Sequence, residues 1–143
     1  MSTTTRTVEA TPGKVWEVLS DGWLYPLWVV GAARMREVDD HWPQRGAQLH
    51  HSAGVWPLLV DDTTEVVEVS PGEMLRLRAR GWPAGEAEVV ITLTPQGSGT
   101  RLTVREDAVS GPGRLVPSAL RQPLLHVRNV EALRHLAAIV ERR

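Results

Sequence analysis

The amino-acid sequence predicts an α+β domain spanning residues 1–143: a strongly curved antiparallel sheet of about seven strands gripping a long C-terminal helix. Three features carry that prediction. Residues 47–104 alternate apolar and polar between turn signals, the period-two pattern of half-buried antiparallel strands. Pro117 to Arg143 has the periodicity of an amphipathic helix. Every strand has one apolar face that must be covered, and only this helix is long enough to cover it.

Taken in order, Thr3–Glu9 reads as the first strand. Thr11-Pro12 starts a helix, with threonine as N-cap and proline at the first helical position. Val15, Trp16, Val18 and Leu19 give that helix its apolar face, and it ends near Ser20–Gly22. Trp23–Gly31 is apolar, aromatic and interrupted by Pro26, which predicts a second short helix or turn. Ala33–Asp39 is the second strand and residues 42–46 a turn. The strands Ala47–Val55, Asp62–Val69 and Met74–Arg80 follow. Two more carry Ala87, Val89, Ile91 and Leu93, then Leu102 and Val104, on their apolar faces. Ser70-Pro71-Gly72, Pro83–Gly85 and Gln96–Gly99 are the turns, and Ser110-Gly111-Pro112-Gly113 breaks the sheet before the helix.

On that helix Leu125, Ala132, Leu133, Leu136, Ala137 and Val140 share one side, with Leu120 and Leu124 just off it. Arg128, Glu131, Arg134, His135, Glu141 and Arg142 lie opposite. Pro123 is expected in the first turn or at a kink. Gln122 and Asn129 project on the apolar side, and His126 lies near its edge. Inward polar groups cost free energy unless hydrogen-bonded. All three sit in the first half of the helix. The pattern predicts that the C-terminal half seals a core and the N-terminal half borders a cavity. The plainer alternative is core polar groups satisfied by nearby backbone.

Composition narrows the function. A chain of 143 residues without cysteine is one domain that needs no staples, and it excludes disulfides, thiol nucleophiles, zinc–thiolate sites and iron–sulfur clusters. The net charge of −1 is spread over interspersed residues, so no nucleic-acid partner is expected. No apolar run reaches membrane-spanning length, and MSTTTRTVEA lacks an apolar signal core; a soluble, cytoplasmic protein is expected. Six tryptophans stand beside one tyrosine and no phenylalanine, which leaves some of them free to line an aromatic-binding cavity. Tyr25, Trp28, Trp56 and Trp82 are the candidates. Trp56-Pro57 and Trp82-Pro83 fall in loops, as cavity-mouth residues or as hydrophobic plugs.

Strand parity selects the acid–base candidates. His51 shares a face with Leu49 and Ala53, while His50 points away; Glu106 shares a face with Leu102 and Val104. His51, His126 and Glu106 are therefore candidate proton-transfer groups, with Gln122, His126 and Asn129 as ligand-binding groups. The alternative is that both histidines are structural and Glu106 pairs with an arginine. No metal or cofactor is expected. His50 and His51 face opposite ways, His126 and His135 are about 13 Å apart along the helix, and neither a phosphate loop nor a nucleophile elbow is present.

The stretches VWEVLSDGWLYPLWV (15–29), GSGTRLTVRED (97–107) and RNVEALRHLAAIVER (128–142), in this order, resemble the START-like (SRPBCC) superfamily. That superfamily includes the birch pollen allergen and the polyketide cyclase/dehydratase group. The resemblance covers nearly the whole chain. It implies a helix-grip fold with an internal cavity for hydrophobic ligands such as lipids, sterols, polyketides or plant hormones. It implies no single chemistry, because members range from enzymes to carriers. Ring-hydroxylating oxygenases share the fold, but their iron–sulfur cluster needs cysteine. The leading expectation is a binder of a hydrophobic, aromatic or polycyclic small molecule. The alternatives are a cyclase/dehydratase-type enzyme using His51, His126 or Glu106, and a protein-binding co-regulator. Nothing in the sequence sets an oligomeric state.

Overall fold

The computed structural model describes residues 2–29, 32–53, 60–81 and 85–142. The chain runs β1 (Ser2–Val8), α1 (Pro12–Leu19), a 3₁₀ turn (Gly22–Leu24), α2 (Tyr25–Trp28), β2 (Ala32–Val38), β3 (Gln48–Ala53), β4 (Val60–Ser70), β5 (Met74–Gly81), β6 (Gly85–Gln96), β7 (Gly99–Ser110) and α3 (Ser118–Glu141). Strand ends differ from the sequence pattern by one or two residues, the usual uncertainty of such boundaries. The C-terminal end expected for β3 at Val55 lies outside the described residues, as do Trp56 and Trp82.

The strands form one antiparallel sheet in the order β1-β7-β6-β5-β4-β3-β2. β1 and β2 are therefore opposite edges, and the link between them must cross the sheet's full width. The two short helices make that crossing. Thr11 Oγ1 accepts from the Lys14 backbone N–H at 3.4 Å and Pro12 occupies the first helical position, as the sequence predicts. Trp42 Nε1 donates to the Leu19 carbonyl at 3.2 Å, tying the end of α1 to the loop before β3. Gly22 is buried where a Cβ would stand 2.5 Å from Leu49 Cδ2, so only glycine lets the crossing pack on β3.

The sheet's inner face follows from strand parity. On β5, Leu75 and Leu77 are buried while Arg76 and Arg78 face outward to Glu88 and Glu86 on β6. Bulges at Val66/Glu68 and at Glu86/Ala87 help the sheet bend around α3. The core joins Leu49, Val66, Leu75, Ile91 and Leu102 of the sheet to Val15, Val18, Leu133, Leu136 and Val140 of the helices. The result is the helix-grip architecture.

α3 departs from expectation in its first half. Leu120 and Leu124 are 59% and 63% exposed, off the sheet rather than at the rim of the core. Pro123 lies in the second turn, and the described helix runs through it. Its missing N–H leaves the exposed Ala119 carbonyl for water, which makes proline tolerable there. No described helix is long and apolar enough to cross a membrane.

Candidate functional site

A cavity of about 390 Å³ lies between the sheet and the first half of α3. Side-chain size explains why it exists. Ala79, Ala87 and Ala108 pair in register across β5, β6 and β7, and all three line the cavity. Ala132 of α3 lines it too. Rows of larger side chains flank the alanines: Leu77, Val89 and Glu106, then Leu75, Ile91 and Val104. A row of methyl groups below a helix leaves a space that leucines would have closed. Trp28 and Val29 at the end of α2, with Leu125 and Leu133, complete an apolar wall.

Nine polar side chains interrupt that wall, among them Tyr25, His51, Thr64, Glu106, Arg128 and Asn129. Thr64 is fully buried at the centre of one group. Its Oγ1 lies 3.0 Å from His51 Nε2. The His51 ring stacks on Tyr25 with centroids 5.9 Å apart, and Tyr25 meets Trp28 edge-on at 5.3 Å. Burial pushes the Tyr25 phenol above its ordinary value of 10.0 and the His51 imidazole below its ordinary 6.5, against the pull of nearby Asp62. His51 is thus an uncharged imidazole near neutral pH. Its second nitrogen, Nδ1, is buried without a hydrogen-bond partner.

The second group comes from β7 and α3. Glu106 is 4% exposed and forms an ion pair with Arg128, whose other side faces solvent. Asn129, the next residue, is buried, and its Nδ2 has no partner. Two more arginines of the wall are ion-paired. Arg80 Nε meets Glu86 at 3.2 Å, and Arg121 Nε meets Asp107 at 2.8 Å.

The structure thus brings Tyr25, Trp28, His51, Glu106 and Asn129 to one cavity, while Trp56 and Trp82 lie outside the described residues. Two expected residues stand apart from the wall. His126 is exposed on the other edge of α3, where its Nδ1 lies 3.0 Å from Thr4 Oγ1 on β1. Gln122 is half-buried, and its Nε2 donates to Asp107 Oδ1 at 3.1 Å. Three tryptophans, Trp16, Trp23 and Trp42, border a separate surface cleft.

Sequence reasoning missed Thr64, Arg121 and Arg128. For the arginines a signal existed. Arg121, Leu125, Arg128, Asn129 and Ala132 recur at i, i+4, i+7, i+8 and i+11, one stripe of α3, and all line the cavity. Centring the face on the aliphatic residues put Arg128 on the polar side. The helix is turned so that one edge of that face looks into the cavity and the other packs on β1.

Chemically, the site offers an apolar body with hydrogen-bonding groups at two places on its wall. It contains an uncharged imidazole that can exchange a proton and a buried carboxylate held by a guanidinium. Among the described residues, no three His, Asp or Glu side chains are grouped to hold a metal ion.

The family follows from comparison with a family model. The model for "polyketide cyclase / dehydrase and lipid transport" matches residues 2–141. No curated protein sequence matches the chain. Among solved structures, protein CV1439 from Chromobacterium violaceum is 21% identical with a TM-score of 0.70, over 97% of this chain and 96% of its own. Ara h 8.0201 is 11% identical with a TM-score of 0.74, over 99% and 97%. DynU16, from the dynemicin biosynthetic locus, is 24% identical with a TM-score of 0.69, over 98% of this chain but 46% of its own. At these identities the likenesses establish the fold alone. The family model reaches from the first strand to the last turn of α3, and the chain belongs to the START-like polyketide cyclase / dehydrase and lipid transport family.

Proposed function

We propose that the protein binds a hydrophobic, aromatic or polycyclic small molecule in the cavity beneath α3. One observation carries this reading: an apolar cavity of about 390 Å³ whose wall includes two buried side chains, His51 and Asn129, each with an unpartnered polar atom. Small-molecule sites have this make-up, an apolar enclosure with a few polar groups that fix orientation. Buried polar atoms rarely go unpaired, and a ligand supplies what the protein does not. Native mass spectrometry of freshly purified protein, followed by denaturation, tests the reading. A reproducible adduct of a few hundred daltons is the expected result. A clean apo mass, with no tryptophan fluorescence change against a panel of aromatic polyketides and lipids, would remove it. Complex formation with another protein on gel filtration would then favour the co-regulator role.

A second reading rests on His51 alone. An uncharged imidazole beside the cavity, with Nδ1 unpartnered, can take a proton from a carbon next to a ligand carbonyl, as a cyclase or dehydratase requires. Glu106 lines the same wall, and His126, on the edge of α3 that faces β1, is the comparison position. Replacing His51, Glu106 and His126 singly by alanine separates the two readings. A carrier keeps ligand binding within about a few-fold and shows no product in any variant. An enzyme converts a polyketide substrate, and His51→Ala stops conversion while binding is retained.

A further inference from the structure

The cavity's charges are arranged in a way its apolar character does not explain. Three arginines line it, and each faces a carboxylate: Arg128 with Glu106, Arg121 with Asp107, Arg80 with Glu86. The second pair is 15% and 19% exposed, and the third 64% and 26%. The first reaches inward, because Glu106 is 4% exposed on the inner face of β7. A single buried arginine is the usual way to hold an anionic head group. Here the guanidinium is already matched. An incoming carboxylate or sulfonate would either lie against Glu106 or draw Arg128 away and strand a buried carboxylate, and both are unfavourable. The uncharged hydrogen-bonding capacity, by contrast, is unspent. Arg128 gives Nη2 to Glu106 and has four further N–H bonds to offer. Asn129 Nδ2, at the next position, has no partner.

Taking the cavity as the ligand site, we propose that Glu106 is its specificity-determining residue. It cancels the charge of Arg128, so the cavity selects uncharged ligands and rejects anionic ones.

Two fluorescent probes with the same ring skeleton test this: uncharged N-phenyl-1-naphthylamine and anionic 8-anilino-1-naphthalenesulfonate. Only sulfonate fluorescence displaced by the uncharged probe is counted, which removes binding to the exposed leucines of α3. The wild-type protein should bind the uncharged probe at least about tenfold more tightly. Glu106→Gln keeps an acceptor for Arg128 but removes the charge. It should raise sulfonate affinity by about tenfold and change the uncharged probe by less than about threefold. Adding Arg128→Gln should abolish that gain. Equal affinities in the wild type, or an unchanged ratio in Glu106→Gln with a native circular dichroism spectrum, would overturn the selectivity and leave the ligand site standing. If Glu106→Gln does not fold, the wild-type ratio decides. Failure of both probes to bind, together with a clean apo mass, would remove the cavity reading and this proposal with it.

Discussion

The two halves of α3 have the same secondary structure and different work. From Ala132 to Val140 the inward side chains are buried in the core: Leu133, Leu136, Ala137 and Val140 are each at most 1% exposed. From Ser118 to Arg128 the helix covers a space. Its leucines at 120 and 124 point into solvent, and Arg121, Leu125 and Arg128 meet the cavity. The difference lies in what the sheet presents beneath. The second half shares one core cluster with Leu49, Leu75, Ile91 and Leu102 of the sheet. Under the first half, the row Ala79–Ala87–Ala108 does not reach it. One helix thus acts as a core element at one end and as the roof of a cavity at the other.

This contrast can be broken at several points. The largest effect is expected at Leu136, fully buried in the second half. Leu136→Ala should cost about 2–5 kcal/mol in urea unfolding, the cost of a core cavity that cannot collapse. Ala87→Leu should act on the other half. Filling the alanine row should lower ligand affinity at least tenfold, about 1.4 kcal/mol, with unfolding stability changed by less than about 1 kcal/mol. Isothermal titration with the ligand identified by mass spectrometry, beside a urea melt, measures both. A large stability loss without a binding loss would mean the space is ordinary packing.

The third prediction concerns pH. Burial holds the His51 imidazole below its ordinary 6.5. Between the folded and unfolded values the unfolded chain binds a proton that the folded chain does not, so stability rises with pH there. The contribution is complete above 6.5 and is lost as pH falls below it, with a slope of at most about 1.4 kcal/mol per pH unit. His51→Gln should flatten that part of the stability profile. Asp39 is held below its ordinary 3.8, chiefly by the hydrogen bond from His50, so its stabilisation is present above 3.8 and lost only in more acidic solution. The two windows are therefore separable in one titration. The smallest effect belongs to Leu124, exposed on the roof. Leu124→Ser should move stability by no more than about 0.5 kcal/mol. A large loss there would show that the first half of α3 packs more tightly than its exposure indicates.

How far the site was legible depends on the element that carries each residue. His51 and Glu106 were readable because parity in a strand is set by the neighbours at i±2, and Leu49, Leu102 and Val104 declare the inner face. Asn129 was readable because a buried amide among aliphatic side chains breaks a helical pattern. Thr64 gave no such signal, since a threonine fits either face of a strand. Arg128 was misread because it sits at the border of the apolar face, where the rotation of the helix on the sheet decides the outcome.

The sequence by itself determined the order of elements, the α1 cap, the inward parity of the strands and the two environments of α3. These are local matters, governed by backbone preference and by the spacing of apolar side chains along one segment. Only the tertiary structure decided that Ala79, Ala87 and Ala108 stand in one row, that His51 meets both Thr64 and Tyr25, and that Glu106 meets Arg128. Each of those joins residues far apart in the chain, through strand register and helix rotation. Such juxtapositions are set by the collective packing of the whole domain, and no single segment encodes them.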